Sequence, residues 1–256
     1  MNSLFGTMKG WATEFRGLEI QNLNAAGIQQ IIFLGQFMIQ PAFLKECLRV
    51  WDPENHVFAF PEGEICPLPE EFTVLGGWRT TQEPVVPDFV SNWTRKYREY
   101  LNLSRDEART IVDGGKVDLL ALVHKFRRAN DPDIPIIYRR RAFGLILLHL
   151  YCFEGAIEIP SYRGQARLIR VVEQMENGVN PAWIILAETI KSLDAQKANP
   201  NAVFMGSTRL LQVWLSERLG LIDPPLKPED YHVRSLTNRR RRYDSSKDPI
   251  IAKYAD

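Results

Sequence analysis

Residues 51–78 read WDPENHVFAFPEGEICPLPEEFTVLGGW. From His56 to Phe60 the side chains alternate, with Phe58 and Phe60 on one face and Val57 and Ala59 on the other, as a strand requires. Pro61-Glu62-Gly63-Glu64 supplies turn chemistry, since Pro fixes φ and Gly accepts a positive φ. A second extended run over 64–67 completes a small hairpin, expected across about 56–67. Pro69 then suits the first turn of a helix, where its missing N–H has no partner to lose. Glu70 and Glu71 fall in that first turn and complement the helix dipole. Phe72 and Leu75 should face inward, and Gly76-Gly77 should end the helix. A two-stranded hairpin is marginal alone, so it must pack against helices from elsewhere in the chain.

Those helices are legible on both sides. Residues 1–40 carry mixed helical signals, with Ile31, Ile32, Phe33 and Phe37 as expected core contacts. Pro41 opens a clearer helix in which Phe43, Leu44, Cys47, Leu48 and Trp51 recur at helical spacing, stopping at Asp52-Pro53. After Trp78, residues 79–88 read as a surface loop. Ser104-Arg105-Asp106-Glu107 is a capping box for a helix reaching about Asp113, where Gly114-Gly115 breaks it. Another helix is expected over 116–128, followed by a turn at 130–133. RRRAFGLILLHLYCF, residues 139–153, is apolar on every face and predicts a central buried helix, with 156–159 as a short extended piece. Further helices are expected over 165–176, 181–196 and 207–219, with Asn180 and Ser207 as caps. Beyond Pro224-Pro225 the chain turns polar and carries Arg239-Arg240-Arg241-Arg242, which reads as a mobile basic tail.

The chain has 256 residues, enough to bury a real core, and its 45% hydrophobic and 25% charged content is that of a globular protein. A net charge of +1 argues neither for nor against an acidic partner across the whole chain. Three cysteines, widely spaced, make no disulfide framework and favour a reducing compartment. No charged start precedes a sustained apolar run, and the longest apolar stretches fall short of the ~20 residues a bilayer needs. The expected setting is intracellular, in nucleus or cytoplasm, with no membrane contact.

The stretch also resembles a family. Trp51-Asp52-Pro53, the aromatic strand, Glu64-Ile65-Cys66-Pro67 and Glu70-Glu71-Phe72 resemble the plant mobile domain superfamily. That superfamily often carries an aminotransferase-like label, and the branch that the chain most resembles is a transposon-associated plant domain of unknown function. Three later blocks are similar to it in the same order. They are Arg141–Leu147, then Ile185-Leu186-Ala187-Glu188-Thr189 with Ser192-Leu193-Asp194, then Leu210–Leu215 with Glu217. The matched blocks span 41–219. In the family more helical sequence and a tryptophan-bearing region usually follow, so this copy reads as truncated. Some relatives carry a phosphatase domain, but neither a Gly-Asp-x-His nor a Gly-Asn-His motif occurs here.

No constellation in the sequence specifies a reaction. Cys47, Cys66, Cys152, His124 and His149 show no metal-ligand spacing. Asp52, Glu54, Glu62, Glu64, Glu70 and Glu71 cluster, but turn and helix-start chemistry accounts for them. There is no G-x-S-x-G elbow and no phosphate loop. Aminotransferase activity would need a pyridoxal-phosphate lysine in a larger α/β scaffold, so the family label implies no such cofactor here. Glu188 lies in the apolar run 183–190 and is the buried polar candidate, with Arg141, Arg167 or Arg170 as partner. Arg239, Arg240, Arg241 and Arg242 are candidates for contact with nucleic acid or an import receptor.

The expectation is therefore a mainly α protein: one helical domain over 1–225 carrying one small hairpin, then a basic tail over 226–256. The resemblance implies a non-enzymatic, cofactor-free interaction module of transposon origin, acting in transposon biology, silencing or genome maintenance through unknown protein partners. The alternatives are a nucleic-acid-binding protein working through its tail, an enzyme with a pocket at Glu188, or a transposon remnant without selected function.

Overall fold

A computed structural model describes residues 4–25, 27–35, 37–78, 90, 92–127, 133–157 and 161–222. The loop expected over 79–88, most of the turn at 130–133, and the tail with Arg239, Arg240, Arg241 and Arg242 lie outside the described residues. Within them the protein is mainly α, with twelve α-helices and two three-stranded antiparallel sheets.

In chain order α1 (Leu4–Ala12), α2 (Leu18–Ala25), α3 (Ile28–Leu34) and α4 (Pro41–Arg49) come first. The first sheet follows: β1 (Trp51–Asp52), β2 (Val57–Phe60) and β3 (Gly63–Ile65). Next come α5 (Pro69–Gly76), α6 (Trp93–Leu101), α7 (Arg105–Ile111), β4 (Val112–Asp113), β5 (Lys116–Asp118) and α8 (Leu119–Phe126). The remainder is α9 (Ile136–Tyr151), β6 (Arg163–Gln165), α10 (Ile169–Glu176), α11 (Ala182–Ala198) and α12 (Thr208–Arg218).

The central helix is α9. From Ala142 to Tyr151 every residue is buried, because α1, α3, α6, α8 and α10 pack around it. Trp11 meets the edge of Phe143 at 5.3 Å between centroids, and Phe15 lies 4.8 Å from the same ring. The arginines that open α9 are used internally. Arg139 is 3% exposed and donates to the carbonyls of Ile134 (2.8 Å) and Phe126 (3.3 Å). Arg140 and Arg141 both reach Glu176 at 2.9 Å, and Arg141 also covers the Tyr100 ring at 4.2 Å. Charge-assisted bonds of this kind offset the desolvation of the guanidinium groups.

The hairpin of 57–65 is present and gains a third strand. Asp52 accepts from the amides of Glu54 and Asn55, turning the chain so that Trp51 pairs with Phe58. His56 closes the turn with φ of 54° and is not part of the strand. That pairing ends α4 at Arg49, two residues earlier than the periodicity implied, and puts Trp51 in a strand. On β2, Phe58 is fully buried while Ala59 is exposed. α5 begins at Pro69 and ends at Gly76, capped by Gly77, whose φ of 64° suits glycine. Phe72 and Leu75 face inward.

The second sheet was not anticipated. α7 stops at Ile111, and Gly114-Gly115 makes a two-residue hairpin between β4 and β5 rather than a helix break. β6 then pairs with β5, with Val117 opposite Gly164. As a result the helix expected over 116–128 starts at Leu119, with the Asp118 carboxylate capping Ala121 N–H at 2.9 Å. The helix expected from 165 begins at Ile169. Glu154–Ala156 forms a 3-10 turn, so of the extended piece expected over 156–159 Ile157 is extended, while 158–159 lie outside the described residues.

Candidate binding groove

Polar side chains from three of the four matched blocks meet one another across the fold, whereas Arg141 of the remaining block pairs with Glu176. Trp51 of the Trp-Asp-Pro block donates its indole N–H to Asp194 Oδ1 at 2.9 Å. His56 Nε2 approaches the other carboxylate oxygen at 3.2 Å, and its ring stacks on Trp51. Glu71 of the Glu-Glu-Phe block accepts from Leu68 N–H and from the Trp214 indole, both at 2.9 Å, and pairs with Arg218. One carboxylate thus caps α5 and ties it to α12. Phe58 lies between the two indoles, 4.8 Å from Trp51 and 6.0 Å from Trp214. Gln212, 1% exposed, accepts Gln40 N–H at 2.7 Å and donates to Met38 C=O at 3.0 Å, clamping the segment that enters α4.

The α11 block holds the loop before α12 in the same manner. Thr189 Oγ1 accepts Ser207 N–H at 3.1 Å; Ser192 Oγ accepts Met205 N–H at 2.9 Å and Gly206 N–H at 3.3 Å. Both hydroxyls donate back to carbonyls one turn earlier, Ile185 and Glu188. Gly206 lies so close that a Cβ would sit 2.4 Å from Thr189 Cα, so glycine is required by the approach itself. Ser207 caps α12 through Leu210 N–H and donates to Tyr151 C=O at 2.7 Å.

These clamps leave a half-open groove of about 510 Å³ between α4, α11, α12 and the loop of 200–204. Leu44, Leu48, Leu193, Phe204, Leu211 and Leu215 make most of its wall. Its volume is in the range of about 300–1,000 Å³ typical of ligand pockets. Cys47 sits at the wall with its thiol pushed up to about 12 by burial and by the neighbouring Glu46, so it is an inert apolar contact rather than a nucleophile. A second cavity, about 390 Å³, lies among α1, α2, α3 and α9, against Phe15, Leu23, Ile32 and Tyr151.

Glu188, the buried polar candidate, is on α11 with 17% of its side chain exposed. Arg167 approaches it at 3.7 Å and Lys191 at 3.8 Å. Arg141 and Arg170 pair elsewhere, with Glu176 and Glu173. Glu188 lines neither cavity. His149 is fully buried on α9, with Nδ1 2.8 Å from Leu145 C=O and Nε2 3.2 Å from Gln165 C=O. No group of three or more His, Cys, Asp or Glu side chains suited to a metal ion occurs among the described residues.

Sequence reasoning missed Asp194, Gln212, Thr189 and Ser192 as framework residues. The available signal was polar side chains recurring at otherwise apolar helix positions within the blocks, which buried groups tolerate only when paired.

A family model described as "PMD: Plant mobile domain" matches residues 27–256. Comparisons with curated proteins and with solved structures return no match.

Proposed function

The chain belongs to the plant mobile domain family, and we propose that it is a non-enzymatic interaction module that docks partner proteins in the groove between α4, α11 and α12. The observation that carries this reading is what the matched blocks build. Their polar side chains (Trp51, Glu71, Thr189, Ser192, Asp194, Gln212 and Trp214) are spent on one another and on backbone groups. What they frame is an apolar surface, which supports the binding reading. The setting we propose is nuclear or cytosolic, in transposon biology, silencing or genome maintenance, for a protein of transposon origin.

A second reading rests on the run Arg239–Arg242, which could bind phosphate backbones. Affinity purification from plant nuclear extract, with and without nuclease, separates the two. Wild type, Leu44→Asp and an Arg239–Arg242→Ala variant would run side by side. Partners that survive nuclease and the tail change but vanish with Leu44→Asp support the module. Partners lost with nuclease and with the tail change overturn it in favour of nucleic acid.

A further inference from the structure

We infer that the groove takes an acidic amphipathic helix from a partner protein, seated by apolar side chains and steered by a cationic rim. The inference rests on the docking role proposed above and names the chemistry of the occupant.

Three observations select it. The first is the nature of the walls. Three of its walls are the helices α4, α11 and α12, which present side chains rather than an unpaired ladder for strand addition, and the fourth is the loop of 200–204. A helix laid in a groove uses only side chains, with anchors at i, i+3 or i+4, and i+7.

Charge is the second. Lys45 is exposed and is the one charged residue among those lining the groove. One turn on, Arg49 is 55% exposed. From α11, Lys197 reaches the same end of α4, donating to Leu48 C=O (3.3 Å) and Arg49 C=O (2.7 Å). Arg49 and Glu46 pair at 3.0 Å and so cancel, and Asp194 is held by Trp51 and His56, which leaves Lys45 and Lys197 as the cations that set the sign of the rim. A rim of this sign favours carboxylates beside the apolar anchors and repels basic peptides.

The third is extent. Met38 and Val203, 75% and 64% exposed, are the chain neighbours of Ile39 and Phe204, which line the groove. Exposed apolar residues thus adjoin the lining in sequence at two separate points, as a docking surface larger than the groove itself would require. The occupant is a polymer segment, anchored in the groove and lying across its rims.

The test begins with the full chain and a display library of random helix-forming peptides. Recovered peptides are then titrated by fluorescence anisotropy at low and moderate salt. The expected peptides carry a net negative charge and apolar residues at helical spacing. Leu44→Asp should weaken them about tenfold or more, as loss of a central anchor does. Lys45→Glu, an exposed change that leaves the fold intact, should weaken acidic peptides several-fold and flatten their salt dependence. Basic or non-periodic peptides, or titrations indifferent to both substitutions, would overturn the inference. So would an empty selection in which dodecanoate binds instead and is lost with Leu44→Asp, or a wild-type dimer that Leu44→Asp dissolves. The broader docking role fails separately, if the nuclear-extract purification yields no partner sensitive to Leu44→Asp.

Discussion

Glu71 shows how much one residue does in this fold. Its carboxylate caps α5, accepts the Trp214 indole and pairs with Arg218, so α5 and α12 are locked through one group. Trp214→Phe keeps one aromatic ring but removes the N–H and the second ring, leaving the Glu71 carboxylate short of a donor and a cavity in the core. The lost bond to a charged group should cost about 1–3 kcal/mol and the cavity should add to it, read as a lower urea midpoint at constant slope. An unchanged midpoint would mean that the indole contact contributes nothing. His149 makes a second prediction. Burial holds its pKa down to about 4, against an ordinary 6.5, although both ring nitrogens face carbonyls. A neutral ring can donate to only one of them. The unfolded chain binds the proton below pH 6.5 and the fold resists it, so stability is full above 6.5 and falls toward pH 4. The loss should be roughly 3 kcal/mol at most. Thermal melts across pH 4–7 should show the slope in wild type and a shallower one in His149→Gln. The helix start at Pro69 with Glu70 and Glu71 in its first turn was legible in the sequence, because capping is local. The partner in α12, 143 positions away, was not.

At the scale of elements, most of the helices were read from periodicity, whereas α6 and the second sheet were not. β4, β5 and β6 are two or three residues long, too short for an alternating pattern, and β6 enters from a distant part of the chain. The loop between α11 and α12 is the element on which the groove most depends. Ser192→Ala removes the acceptor for two amides and should cost about 1 kcal/mol. Hydrogen exchange at Met205 and Gly206 should quicken while α9 stays protected. Equal protection in mutant and wild type would contradict the assigned role of Ser192. Gly206→Ala forces a Cβ toward the α11 backbone and should cost about 1–3 kcal/mol or more. In a urea titration it should be the more damaging of the two, because the neighbour is main chain that cannot rotate away.

For the whole molecule, the matched blocks are separate in sequence and joined in space. Trp51 to Asp194 and Glu71 to Trp214 each bridge 143 positions, and Gln212 holds the entry to α4 from 172 positions away. The sequence could show these residues as blocks but not that they frame a single groove, since the groove exists only after α4, α11 and α12 pack. The family match covers 27–256, whereas α1 and α2 precede it and bound the other, smaller cavity. That division supplies an internal control. Methyl chemical-shift mapping of the full chain, titrated with a selected acidic helical peptide, tests the docking claim most directly. The account predicts saturable shifts at Leu44, Leu48, Leu193, Leu211 and Leu215, with Leu23 and Ile32 unmoved. Shifts confined to Leu23 and Ile32, or spread evenly over both sets, would contradict it.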